Sequence, residues 1–294
     1  MNKFEQLLSQ AKIILLDGAM GTLLMAKGME AGQSPEKMNL DHPEIVKEIH
    51  RAYIEAGSNI ILTNSFGGNR FRLMRHGLAD RVRELNLAAA KIAREVADEF
   101  PHVVVAGSMG PTGELMAPFG KLTFEDAVQA FAEQAAGLSS GGVDVLWIET
   151  MADLQEVKAA VQGARSVTRL PITVTMTFES KGRTMMGVTP EQLVQLAEEL
   201  ELSAVGANCG KGPDELEAVI ERMNKAGCKI PIIAKANAGI PKLVEGKVVY
   251  DGSPEIMANH AQTVKRIGAT LIGACCGSSP DHIREMRQAL TFEL

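Results

Sequence analysis

Long apolar runs are absent from this chain of 294 residues, although 46% of them are hydrophobic. Nothing approaches the roughly 20 consecutive apolar residues of a membrane-spanning helix. The opening stretch MNKFEQLLSQAK is polar and amphipathic, without the apolar segment of a secretory signal. A soluble, cytoplasmic protein with no membrane partner is expected. Aromatic residues make up only 4%. The densest basic stretch, residues 70–83, is diluted by Asp80, flanked by Glu84 and not laddered with aromatics. It reads as a solvated loop and helix face, and with a net charge of -6 no nucleic-acid partner is expected.

Two further scarcities bear on chemistry. Four cysteines make no disulfide framework, and in a reducing cytoplasm thiols bind metal or react more readily than they bridge. The six histidines, His42, His50, His76, His102, His260 and His282, fall in helices, long loops or strand starts. A dinucleotide fingerprint is also missing. After the first strand, Asp17-Gly-Ala-Met-Gly lacks the third glycine and sets a carboxylate where a pyrophosphate would lie.

What the chain has is regular alternation. Short apolar runs at residues 13–16, 59–63, 102–106, 143–148, 172–177, 204–209, 231–236 and 270–274 read as strands. Between them lie amphipathic helical patterns at 3–11, from Pro43 to Ala56, and at 80–99, 123–139, 153–167 and 213–226. Others open at Thr189-Pro-Glu, Ser253-Pro-Glu and Pro280, each with proline in the first turn. Eight strand–helix alternations without a linker predict a single-domain (β/α)8 (TIM) barrel over residues 1–294, with an open doubly wound sheet as the alternative.

In such a barrel, function gathers at the C-terminal ends of the strands. There the sequence places Asp17, Asn64, Ser108, Glu149, Cys209, Asn237, Cys275 and Cys276. Adjacent cysteines rarely bridge each other, so Cys275 and Cys276 are free to turn toward Cys209. Three thiols from two strand ends suit a soft tetrahedral ion such as zinc, its fourth position open; the alternative is three small buried residues. Cys228 falls at the opposite rim and reads as a packed thiol. Three thiolates leave the centre with a charge of about -1, poor for activating water but suited to holding a fourth thiolate. The substrate is therefore expected to be a thiol. Asp17 and Glu149 can hold an ammonium group, and the backbone amides of the Gly18-to-Gly21 loop, at Ala19 and Met20, a carboxylate. The alternatives are a turn-forming role for Asp17 and a lysine partner such as Lys235 for Glu149. A competing chemistry takes Lys235 as a Schiff-base amine but leaves three cysteines idle.

Asp17-Gly-Ala-Met-Gly-Thr22, Thr63-Asn-Ser-Phe-Gly67, Ile148-Glu-Thr150, Gly206-Ala-Asn-Cys209, Asn237-Ala-Gly239 and Gly273-Ala-Cys-Cys-Gly277 together resemble the homocysteine S-methyltransferase family over nearly the whole chain. The resemblance implies a zinc-bearing (β/α)8 barrel that methylates homocysteine to methionine. It assigns Cys209, Cys275 and Cys276 to the zinc and Asp17, Glu149 and Asn237 to homocysteine. Two departures are visible: Ala274 stands where the family has glycine, and Ala236 where it has proline. Phe119-Gly-Lys-Leu-Thr123, Gly182-Arg-Thr184 and Pro241-Lys-Leu-Val244 look most like the homocysteine module of cobalamin-dependent methionine synthase. As the chain stops after one barrel, any corrinoid or folate is expected to come from a separate protein, and a methyl-corrinoid protein (methylcobalamin) is the expected donor. S-methylmethionine, S-adenosylmethionine and betaine are the alternative donors.

Overall fold

Strands buried on both faces read as continuous apolar runs, and eight of them form one parallel sheet in the computed structural model, which describes residues 2–179, 181–244 and 247–291. In chain order the strands are β1 (Ile14–Leu15), β2 (Ile60–Leu62), β3 (Val104–Met109), β4 (Val145–Met151), β5 (Ile172–Met176), β6 (Ala204–Cys209), β7 (Ile232–Ala236), β8 (Lys242–Val244), β9 (Lys247–Val249) and β10 (Ala269–Ala274). The sheet order is β1-β10-β7-β6-β5-β4-β3-β2. A parallel bridge from Leu16 to Ile60 joins its two ends, closing the expected barrel. Strands β8 and β9 form a separate antiparallel hairpin that the sequence pattern did not indicate.

Helices follow each barrel strand, and their ends carry the chemistry that starts and stops them. The Thr189 side chain accepts from the amide of Gln192, whose side chain reaches back, in a complete capping box before helix Pro190–Glu199. The side chains of Thr123, Asp153 and Ser253 each accept from a first-turn amide of the helices starting at Phe124, Leu154 and Pro254. Gly57 ends helix Pro43–Ala56 at φ 118°, where a side chain would be strained. Among the described residues, no helix is long and apolar enough to cross a membrane.

Period-two alternation builds the barrel interior in layers. The lower layer is apolar, from Ile14, Ile60, Val104, Val145, Ala204 and Leu271, and Phe4 of the N-terminal helix Lys3–Gln10 packs against it. Above it lie Leu16, Leu62, Ala106, Trp147 and Ile233. Two residues further along β3, β4, β6 and β7, the inward positions become Ser108, Glu149, Asn208 and Lys235, all buried. The interior thus turns from apolar to polar along the strand direction. The intervening residues, such as Val105, Leu146, Val205 and Ile272, pack outward against the helices.

Candidate functional site

Strands β6 and β7 lie side by side, with β10 beyond β7, so the ends of β6 and β10 meet across the end of β7. Cys209 closes β6 in the left-handed region at φ 61°; Cys275 and Cys276 follow β10. The sulfurs of Cys209 and Cys275 are 2.9 Å apart, and all three lie within 4.8 Å of one another. They form the one group of three or more metal-competent side chains among the described residues, and each cysteine is half-buried. Their protons are unevenly shared. Hydrogen bonds from Cys209 and Cys275 pull the Cys276 thiol down to about 3, helped by one from Tyr250. Cys209 is driven well up by its bonds to Cys275 and Cys276. Cys228 is far from this group in the turn before β7, its thiol 3.4 Å from the carbonyl of Ile230.

Asn237 splints the cysteine-bearing turns. Its carboxamide donates to the Gly210 carbonyl at 2.8 Å and accepts from the Cys276 amide at 3.1 Å. The loop after β1 is laced to the same turn: the Ala19 amide donates to Ser278 Oγ, which donates to the Cys275 carbonyl. Thr22 Oγ1 accepts from the Gly277 amide. Gly277 is at φ 82°, and a Cβ there would lie 2.2 Å from the Tyr250 ring, so the turn admits only glycine. Met20 opens helix Met20–Ala26, where first-turn amides lack intrahelical acceptors.

The two acids differ in their commitments. Asp17 is 3% exposed; one oxygen accepts from Lys235 Nζ at 2.9 Å and the other from the Leu62 amide at 2.7 Å. Burial pushes its carboxyl upward against the pull of Lys235. Asp17 and Glu149 together hold the buried Lys235 ammonium above its ordinary value despite burial. Lys235 is therefore protonated and paired, not a free amine for a carbonyl, and its ion-pair partner is Asp17 rather than Glu149. Glu149 accepts from Ser108 Oγ on one oxygen, and burial raises its carboxyl to about 7.

Sequence reasoning brought Asp17, Ala19, Glu149, Cys209, Asn237, Cys275 and Cys276 to one rim, and there they are. Asn64 stands apart from the cysteines, bonded to Asn39 and the Pro35 carbonyl. The residues it passed over are Tyr250, Ser278 and Asn208. Only Asn208 carried a signal, as a polar residue at an inward position of an otherwise apolar strand.

The model of the homocysteine S-methyltransferase family matches residues 14–290. The chain belongs to that family. Methionine synthases of Mycobacterium leprae and Mycobacterium tuberculosis are each 34% identical to it over 297 residues, an alignment that takes in 95% of this chain. The chain spans about a quarter of the length of these curated relatives, 24% and 25%. Among solved structures, the homocysteine methyltransferase MmuM from Escherichia coli in its oxidized form superposes with a TM-score of 0.83 at 24% identity, covering 98% of this chain and 99% of that one. Its metallated form gives 0.82 at 23%, with the same coverage. The family and the barrel implied by the sequence motifs both stand.

Proposed function

We propose that the chain transfers a methyl group to the thiol of homocysteine, giving methionine, at a zinc centre held by Cys209, Cys275 and Cys276. One observation carries the reading: three thiols from two strand ends converge beside a buried acid at the rim of a homocysteine S-methyltransferase barrel. The donor set fits the ion, being all sulfur and close enough to share one tetrahedral centre. Bound there, zinc supplies a soft Lewis acid that keeps the acceptor's sulfur deprotonated near neutral pH.

The chain's own residues do the rest. Glu149, with one oxygen committed to Ser108, turns the other toward the acceptor's ammonium. Asp17 shapes the same end of the pocket and adds its field, while Lys235 keeps it ionised. The acceptor's carboxylate lies against the backbone at Ala19 and Met20; the Ala19 amide is taken by Ser278, which leaves that of Met20. Asn237 holds the two cysteine turns in register at the thiol end. In the transfer, the acceptor's sulfur forms the new S–C bond as the bond from methyl to its carrier breaks. The electron pair leaves with the carrier, and the thiol proton passes to solvent. The three atoms must be nearly in line, with the reacting pair about 3–3.5 Å apart.

A methyl-corrinoid protein is the donor this reading favours. The loops around the rim expose Leu115, Phe119 and Met185 to solvent, adaptable apolar surface suited to transient docking of a large carrier. The test is a donor screen with zinc-loaded protein and homocysteine: methylcobalamin free and protein-borne, S-methylmethionine, S-adenosylmethionine and betaine. Methionine formed from the corrinoid supports the whole reading. Turnover of a small donor alone leaves only the acceptor half standing, and zinc uptake without methionine from any donor sinks the enzymatic reading.

A further inference from the structure

The end of β4 is irregular in a way that involves a residue of β6. Strand β4 pairs with β5 in steady register from Leu146 to Ile148, then slips before Met151 meets Met176. The slip is a bulge at Glu149–Thr150, and Thr150 sits in the left-handed region at φ 61°, a conformation that is strained for a β-branched residue. Bulges beside functional sites re-aim side chains, and this one aims Glu149. Such backbone persists only where its surroundings over-determine it.

Asn208 is what over-determines it. The side chain is 1% exposed, and its carboxamide oxygen accepts from the Thr150 amide at 2.9 Å and from Thr175 Oγ1 at 2.7 Å. Its nitrogen donates to Thr150 Oγ1 at 2.7 Å, to Cys209 Sγ at 3.4 Å and to Cys275 Sγ at 3.9 Å. One carboxamide thus joins the bulge of β4, the end of β5, the sulfur that closes β6 and the first sulfur after β10. The neighbouring Cys209 is itself left-handed, at φ 61°, so both strained residues of the site are tied to the same group. At the slip the Thr150 amide donates to the Asn208 carboxamide.

We propose that Asn208 is the positioning residue that sets the distance between the sulfur cluster and Glu149, acting on the metal through Cys209 and Cys275 and on the acid through Thr150. The inference rests on the reading of the three cysteines as a zinc site. Polar groups that orient metal ligands typically change metal affinity about 10–100-fold when removed. Asn208→Ala deletes the whole clamp. Thr175→Val deletes one bond at its far end and keeps the shape of the side chain.

Zinc affinity is measured by chelator competition on wild type, Asn208→Ala, Thr175→Val and the double variant. Cobalt(II) absorption reads the symmetry of the sulfur set, and thermal unfolding of the metal-free protein reads the fold. The expected result is a loss of zinc affinity of about 10–100-fold in Asn208→Ala with displaced cobalt bands. Thr175→Val shows a smaller loss in the same direction and adds nothing in the Asn208→Ala background. Should Asn208→Ala not fold, Thr175→Val alone decides. Affinities and cobalt spectra equal to wild type in the folded variants would overturn the proposal. A wild type that takes up no zinc would overturn the metal reading beneath it.

Discussion

Lys235 is a lysine taken almost wholly out of water, with 4% of its side chain exposed and held by an aspartate equally buried. Breaking such a pair by removing one partner costs about 3–5 kcal/mol, because the survivor is left charged and unpaired, whereas replacing both is far cheaper. Lys235→Met is therefore expected to lower unfolding free energy by about that amount, and Asp17→Asn combined with it to recover most of the loss. Chemical denaturation of the two single variants and the double checks this; simple additivity would show that the two side chains do not act as a pair. Glu149 gives a second prediction at this scale. Its carboxyl is raised to about 7 by burial, and its grip on an ammonium needs the carboxylate. Homocysteine affinity should fall as pH drops below about 7, while Glu149→Gln binds weakly and without that pH dependence. Stability moves the opposite way. The folded protein keeps a proton that the unfolded chain releases above its ordinary pKa of 4.5, so this group costs stability as pH rises from there to about 7. A homocysteine titration series across this range that is flat for wild type would remove Glu149 from the binding role.

Among the elements, the eight barrel strands were legible because burial on both faces makes each an apolar run of strand length, bounded by glycine or proline. Their ends were less so. Strand β3 continues through Gly107 and Ser108 to Met109 because these residues pair with Leu146, Trp147 and Ile148 of β4, a decision made by the neighbour rather than by local propensity. The bulge in β4, the short helices Met20–Ala26 and Arg70–Met74, and the β8–β9 hairpin depend likewise on contacts distant in sequence. In the loop after β5, Arg183 and Thr184 each bond back across the turn at Gly187–Val188. Strand packing yields a third prediction. A Cβ on Gly206 would lie 2.0 Å from the carbonyl oxygen of Ile233, backbone that cannot swing aside, so β6 must move away from β7. Gly206→Ala is expected to cost about 1–3 kcal/mol or more and to weaken zinc binding, because Cys209 lies on the same strand. Thermal unfolding and zinc content of the purified variant test it; wild-type values for both would show that the strand ends are not rigidly spaced.

For the whole molecule, the gathering of Asp17, Glu149 and the three cysteines at one rim followed from strand count alone, since a closed parallel barrel leaves its strand ends nowhere else to point. Which of those groups touch one another did not follow. The pairing of Lys235 with Asp17 and the reach of Asn208 into β4 depend on interstrand register, and no local pattern encodes that. The size of the donor is also decided at this scale. Phe119 and Met185 are 75% and 73% exposed on loops that follow β3 and β5. Phe119→Ser is expected to raise the apparent KM for a protein-borne corrinoid while leaving that for homocysteine unchanged; equal effects on both would place Phe119 in the acceptor pocket instead. The central claim is that Cys209, Cys275 and Cys276 hold a zinc ion whose remaining position takes the acceptor's sulfur. X-ray absorption at the zinc edge, with and without homocysteine, tests it most directly. The account predicts three sulfur neighbours at about 2.3 Å in the free protein and four once homocysteine is bound; a sulfur count that does not rise on saturation would contradict it.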